Sequence, residues 1–575
     1  MHAIIKSLFT IFTTITIFCS NLLFPATVYP ESENFDFSYL EYPDEAIVTL
    51  EEAGLTEQEL VGRASAELPE YVQSGGYDDI NGITVSPYYT AKVSGKEIPV
   101  YASVVFIRVD DTGTLHSFSE IYVDSSEKFS FNIEITGADV ELKDAIVLPE
   151  SHGVKAQCRD NTVTSSINKT GVYTFLFNGA NQYFGYTLMV REKVDEDKEI
   201  AAYIEEYGED NVWVLDKGVY QYDYVNLVGN ENLVIYLREG AYVIANHLHD
   251  IDCAEDENKY LEPTAPGDNA FGFTRYPFIN FYNCNNVTLT GRGVIDMTRL
   301  DRRERRGVVF TNCKNVNVSD IKIINSPEWS FISYCCTDVS IDNVDIIGNR
   351  GNCDGFAICN SHNVTVDNCF ARVADDTFEV KALGGTMDSK NISFTNCIAW
   401  GGYARCFGIT GEVNKKISDV AFRNCAVIYR DGIWDNDRIG SLVVVAEQTE
   451  GSIDGVLFDN IEIFRDEGRP ILVKIYDEQA ENFEIKNIIF KNISYTSYMK
   501  PKIAGNDSNT NTVQVELEGM NACNLSFFLT GSRNISYDMV CRAMKETGVN
   551  LNHRFRETSE GGLAKIYNRK RAKSN

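Results

Sequence analysis

Histidine is scarce in this chain, with seven among 575 residues, and no two stand at the spacing of a helical or finger-type zinc site. Basic charge is also short. Lys and Arg total 52 against 83 Asp and Glu, a formal net charge of −31. That removes the concentrated cationic surface that phosphate-backbone binding requires, so no nucleic acid partner is expected. A leucine-rich signature is lacking, and no helical pattern recurs. What remains is globular material, 44% hydrophobic and 23% charged, of a length that suits two or three domains.

Lys6 and the apolar run Leu8 to Cys19, followed by Ser20, Asn21 and Pro25, match a secretory h-region and fall short of a span of roughly 20 apolar residues. Ala26 suits a cleavage site; Phe24 is bulky for one. Residues 1–27 are therefore read as a signal peptide or, if uncleaved, an N-terminal anchor. The chain is expected to be secreted or held at the extracellular surface, with cell-wall or membrane association through this segment. Residues 28–84 read as an acidic leader with a short helix around Glu51 to Arg63. Over 85–192, short alternating runs such as Ile98 to Val109 and Phe129 to Ile135 are separated by Gly, Asp and Ser, the pattern of an antiparallel β-sandwich. Glu199 to Tyr207 looks helical and suits a cap on a repeat array.

From residue 283 a repeat emerges: apolar, any, apolar, any, Asn, then Cys or an aliphatic residue. It reads VVFTNC at 308–313, VTVDNC at 364–369, ISFTNC at 392–397 and VAFRNC at 420–425, among others. The Asn positions 283, 312, 343, 368, 396, 424, 460 and 492 are separated by 29, 31, 25, 28, 28, 36 and 32 residues. Such a period with strand-type alternation means stacked coils. Asn tolerates left-handed backbone and can bond to its equivalent in the next coil. One strand, a bend and another strand per turn give a parallel β-helix over residues 193–500, with 501–575 as a C-terminal cap and basic tail. Cys284, Cys313, Cys369, Cys397 and Cys425 then form a ladder of buried thiols, because Cys, Val and Ile interchange at their position.

Chemistry is expected where polar residues interrupt the coils at one recurring phase. Asn352-Cys353-Asp354-Gly355 is followed by Asp375-Asp376, with Asp354 and Asp375 21 residues apart, close to one coil. Coils stack about 4.8 Å apart, so three carboxylates can converge on one outer face. Carboxylates so close cannot all ionise easily, and one should keep its proton. An acid and a base then come from one residue type, as glycoside hydrolysis needs.

These elements resemble the Asn-x-Asp and Asp-Asp motifs of glycoside hydrolase family 28, the polygalacturonases, and Asn325-Ser326-Pro327-Glu328-Trp329 resembles a coil just before that family's active site. A β-sandwich ahead of a β-helix carrying three aspartates is also similar to family 49, the dextranases and isopullulanases. The resemblance implies an all-β fold, a right-handed pectin-lyase-like parallel β-helix preceded by a sandwich. It also implies a polysaccharide or oligosaccharide substrate, inverting hydrolysis with Asp375 as general acid, and a water activated by Asp354 with Asp376. The family 28 Gly-His-Gly is missing between Gly401 and Gly411, and His362 falls a coil too early. Arg438-Ile439-Gly440 matches only the first half of the Arg-x-Lys that would hold a sugar carboxylate. With the net charge of −31, these departures favour a neutral or weakly charged polymer.

Glu379 and Lys381 alternate with Phe378 and Val380 and should face outward beside the aspartates, holding sugar hydroxyls or each other. Arg405 and Glu412 are candidate substrate contacts, or an ion pair. Trp329 and Tyr403 are candidates for stacking on sugar; for Trp400 the core is an equal alternative. Arg350 reads as a solvated loop residue. No cofactor or metal is expected. Two other classes stay open: a calcium-dependent lyase on an acidic polymer, and a non-catalytic surface solenoid.

Overall fold

The computed structural model describes residues 35–48, 83–106, 113–247, 277–300 and 304–540, with breaks at 139, 349, 385, 403, 431–436, 449, 498, 507–509, 523–527 and 531–534. The expected signal segment, the helix around Glu51 to Arg63, Tyr403 and the basic tail lie outside the described residues. Among the described residues no helix is long and apolar enough to cross a membrane. The chain divides into two compact units, with the boundary at Ala202/Tyr203 and two short later segments, 216–219 and 238–242, joining the first.

In the first unit, alternation does what period 2 demands: along Phe131–Gly137 the side chains at every other position are buried. Phe131, Ile133 and Ile135 of a five-stranded sheet pack with Phe175, Tyr186 and Leu188 of a seven-stranded one. The sandwich is not wholly antiparallel. Tyr186–Glu192 runs parallel to Ser117–Val123, which the long intervening chain permits, since parallel pairing needs a crossover. It also begins before residue 85, because Phe37–Tyr39 pairs with Ile121–Val123. The helix Glu196–Tyr207 stands where the capping helix is expected.

In the second unit the chain winds into coils from Val212. A full coil gives one strand to an 11-stranded parallel sheet and two, parted by a bend, to a 21-stranded sheet. Phe331–Tyr334, Thr337–Asp342 and Asp345–Ile347 make one such turn. Three strands per turn replace the expected two; the third has three residues, too few to show alternation in sequence.

The Asn series is two columns, not one. Asn283, Asn312, Cys335 and Asn360 end strands of the 11-stranded sheet. Asp320, Asn343, Asn368, Asn396, Asn424, Asn460 and Asn492 occupy the bend within the other. All have positive φ, from 48° at Asn360 to 61° at Asp320. Both bends demand left-handed backbone followed by an inward apolar side chain, so both write the same motif. Side-chain amides link the coils: Asn312 Nδ2 donates to Asn283 Oδ1 at 2.6 Å, and Asn460 Nδ2 to Asn424 Oδ1 at 2.9 Å.

The five thiols are buried and free but fall in the two columns and not in one ladder: Cys284 and Cys313, joined by Cys336 behind Cys335, follow the first, and Cys369, Cys397 and Cys425 follow the second. Each finds a carbonyl acceptor, as Cys313 does at Thr311 O, 3.3 Å away. The coils also run past residue 500, through Lys502–Ala504, Thr512–Glu518 and Ile535–Val540. The motif fades there because Gly519, at φ 62°, takes the left-handed position that follows Asn492 in its column.

Candidate active site

Register along the 11-stranded sheet creates the site. Phe331, Phe356, Phe378, Phe407, Leu442 and Ile471 pair in sequence from coil to coil. Two residues ahead of these strand starts stand Trp329, Asp354, Asp376, Arg405, Gly440 and Arg469, one column on the bend that enters the sheet. The backbone continues the ladder: Ser330 N–H donates to Asp354 O at 2.9 Å, Gly355 N–H to Asp376 O at 2.8 Å and Thr377 N–H to Arg405 O at 2.8 Å. Gly355 is needed for this approach, since a Cβ there would lie 2.3 Å from Thr377 O. Asp376, one position past the residue that coil counting paired with Asp354, is thus the true equivalent of Asp354. Beneath, the Phe356, Phe378 and Phe407 rings stack at 5.0 Å and fix the strand that carries Glu379 and Lys381.

The three aspartates have different partners. Asp376 is gripped by Arg405 through both oxygens: the backbone N–H at 3.0 Å and Nη1 at 2.9 Å. Asp375, less buried, accepts from the amides of Asn352 at 3.1 Å and Asp376 at 3.0 Å. Asp354 is buried, its Oδ1 without a hydrogen bond among the described residues, and its Oδ2 lies 3.6 Å from Lys381 Nζ. Burial and the neighbouring Asp376 push the Asp375 carboxyl up to about 6. Burial, then Glu379 and Asp375, hold Asp354 well above the usual carboxylate range, and Lys381 pulls it back. The titration belongs to the group as a whole.

Glu379 and Lys381 face outward as expected, yet both are buried and bonded to each other at 3.1 Å. Thr410 Oγ1 donates to Glu379 Oε2 at 2.6 Å. Burial is the main cause that pushes Glu379 up to about 8. Burial works against the charge of Lys381, but Glu379, Glu412 and Asp354 outweigh it and hold the ammonium protonated. Glu412 reaches Lys381 at 3.4 Å because pairing shifts between Val380 and Ala382 and the next strand bulges at that point. Trp329 lies half-buried with Lys381 Nζ 4.0 Å from its ring centroid.

Arg405 pairs with Asp376 and, at 2.7 Å, with Glu447, not with Glu412. Sequence reading missed Glu447 and Thr410. Glu447 follows the strand Leu442–Ala446 and donates its amide to Gly411 O at 2.8 Å; it is the next-coil counterpart of Glu412, visible only by counting through the bulge. One other reading is corrected, that of Arg350, and of the two alternatives for Trp400 the core one holds. Arg350 is buried, donating to the carbonyls of Met297, Asn325 and Thr298 at 3.3, 3.1 and 2.5 Å. Trp400 is buried against Arg372, 3.5 Å from guanidinium carbon to ring centroid. His362 bonds to Asp388, away from the acids.

Oxygens of Asp354, Asp376 and Glu379 come within 4.8 Å of one another, the spacing of a set that could hold a cation. Lys381 and Arg405 already supply positive charge to all three. A calcium ion would need about six to eight oxygens, so the donor set fits that ion poorly. What the arrangement can do is hold one water between Asp354 and Asp376 and present the more exposed, proton-holding Asp375 to a leaving oxygen.

Residues 277–533 match the model of glycosyl hydrolases family 28. The chain is similar to polygalacturonase QRT2 of Arabidopsis thaliana, 23% identical over 249 residues that make 39% of this chain and 54% of that protein. It is also similar to a polygalacturonase of Juniperus ashei, 26% identical over 221 residues, 36% of this chain and 40% of that one. The chain spans about half the length of the curated relatives it matches. Among solved structures it is similar to Dex49A from Penicillium minioluteum, with a TM-score of 0.51 and 12% identity over 76% of this chain and 89% of that one; this likeness speaks to the fold.

Proposed function

We propose that this chain, whose residues 277–533 match the model of glycosyl hydrolases family 28, is an exported hydrolase cleaving a polysaccharide by single displacement. The observation that carries the reading is the Asp354, Asp375, Asp376 group at the entry to one sheet. Asp375 protonates the leaving oxygen, and Asp354 with Asp376 activates the water. No carboxylate stands apart as a nucleophile, since Asp376 is held through both oxygens by Arg405. Export rests on the Lys6 to Pro25 segment.

The substrate proposed is a polymer bearing carboxylates, against the neutral or weakly charged one that the sequence favoured. Just downstream, Arg469, Lys474 and Lys502 surround the single carboxylate of Asp437 at 3.8, 3.6 and 2.6 Å. Arg438 and Lys474 lie over the Tyr476 ring at 4.0 and 4.4 Å. Lys474 pairs with Val445, which pairs with Thr410 beside Glu379, so this local positive excess lies two coils from the acids on the same sheet. A local field of this kind overrides a net charge. The test is a digest of polygalacturonate, other uronate polymers and neutral α-glucans, with products analysed for wild type and Asp375→Asn. Saturated fragments from an acidic polymer, lost in the variant, are expected. Turnover of neutral glucans alone would overturn the substrate class, and unsaturated products would favour a lyase.

A further inference from the structure

We propose that Lys381 is a positioning residue, the fixed counter-ion that opposes protonation of the buried Asp354 and so lets it take a proton from water. The inference rests on the inverting reading above and gives one buried side chain a defined task within it.

The three aspartates are supported unequally. Asp376 receives two N–H donors from Arg405, and Asp375 receives two backbone amides. Asp354 has neither kind of support. Its one ion pair among the described residues is Lys381 at 3.6 Å, and its Oδ1 is buried without a hydrogen bond. A buried carboxylate lacking donors and an opposite charge reverts to its neutral form. The ionisation of Asp354 therefore depends on Lys381 more than that of Asp375, whose charge Lys381 also favours but which has two backbone donors besides.

Lys381 is built for constancy. It is 3% exposed, its strand is pinned by the Phe378 stack, and its ammonium lies over Trp329. It cannot swing into solvent as a surface lysine does. The charged and titratable groups facing it among the described residues are Asp354 from the preceding bend, Cys359 paired with it on the preceding strand, Glu379 with Asp375 and Asp376 from its own segment, and Glu412 from the following strand. Arg306 stands beyond Trp329, 5.0 Å from that ring, and Arg405 lies on Asp376. Glu379 is closest, at 3.1 Å, and shares the ammonium with Glu412 at 3.4 Å and Asp354 at 3.6 Å. A lysine so enclosed cannot reach out to grasp sugar hydroxyls, the alternative its outward phase suggested.

The test uses the full chain and pH profiles of kcat/KM on whichever polymer the digest shows to be cleaved. The acidic limb reports ionisation of the base. Removing the positive charge raises the pKa of Asp354, so Lys381→Met should move that limb upward by about 1–3 pH units, whereas Lys381→Arg should hold it near wild type. Glu412 is partly exposed and replaceable without emptying a buried site. Glu412→Gln frees the ammonium of a competitor and should move the limb downward by a fraction of a unit, which keeps the test alive if Lys381→Met fails to fold. An unmoved limb in these variants, with only KM raised, would overturn the inference and return Lys381 to sugar contact. Infrared difference titration of the carboxyl bands, each protein against its Asp354→Asn derivative, reads the same midpoint without turnover. A chain inactive on every glycan but showing the upward midpoint in Lys381→Met would sink the proposed function and leave the counter-ion standing. No change in that midpoint would sink the counter-ion.

Discussion

Arg405 holds Asp376 through both carboxylate oxygens, one by its backbone N–H at 3.0 Å and the other by its guanidinium at 2.9 Å. The same side chain reaches Glu447 at 2.7 Å and the carbonyl of Arg438 at 2.8 Å. The Asp376 orientation is therefore set by a planar fork anchored in the next coil, on either side of the strand Leu442–Ala446. A lysine offers a point charge and cannot reproduce that geometry. Arg405→Lys is expected to lower kcat by about 10²-fold, the scale of a small misplacement of a reacting group, with KM little changed. Steady-state kinetics on the cleaved polymer check it.

Asp375 is the least enclosed of the three aspartates, and burial with Asp376 pushes it up to about 6. It therefore suits proton donation in mildly acid to neutral solution. Asp375→Asn should cost about 10²–10⁴-fold on a natural glycoside. An activated aryl glycoside, whose leaving group needs no proton, should lose far less. Asp354→Asn should impair both. Equal losses for Asp375→Asn on the two substrates would remove its role as acid.

Stability should fall as pH rises, for a reason located in the site. Glu379 is pushed up to about 8 by burial first, so the folded state holds a proton that the unfolded chain has released above its ordinary carboxylate range. The resulting stabilisation is fully present below about 4.3 and is lost as pH climbs through about 8. Glu379→Gln mimics the neutral form, so its Tm should decline less over that window. Calorimetry across pH reads the difference; parallel curves would contradict the assignment.

The buried thiols make a packing prediction. Cys284, Cys313, Cys369, Cys397 and Cys425 should resist a thiol reagent until the chain is denatured, since all are buried and free. Replacing one by Ala should cost about 1–2 kcal/mol. Chemical denaturation checks the cost, and fast native labelling would contradict the burial.

Most of the solenoid was legible because its bends carry their own mark: a left-handed Asn followed by an inward apolar residue. The same mark misled in one respect, since two bends per coil share it, and only pairing register separates the Asn312 column from the Asn343 column. Gly519 does the work of Asn at φ 62° and hid the later coils. At the site, Asp354, Asp375, Asp376, Glu379 and Lys381 were readable from phase within short stretches. The partnership of Arg405 with Glu447 was not, because it spans 42 residues and a bulge. Burial of Arg350 was likewise invisible: it is set by neighbours from other coils, which local alternation does not encode.

The central claim is that Asp354, Asp375 and Asp376 hydrolyse a glycosidic bond in one displacement, with a water held between two carboxylates. Nuclear magnetic resonance of the first-formed sugar, recorded before mutarotation, tests it most directly. The account predicts a product whose new reducing end has the anomeric configuration opposite to that of the bond cleaved. A product of retained configuration, or a glycosyl group trapped on an aspartate, would contradict it.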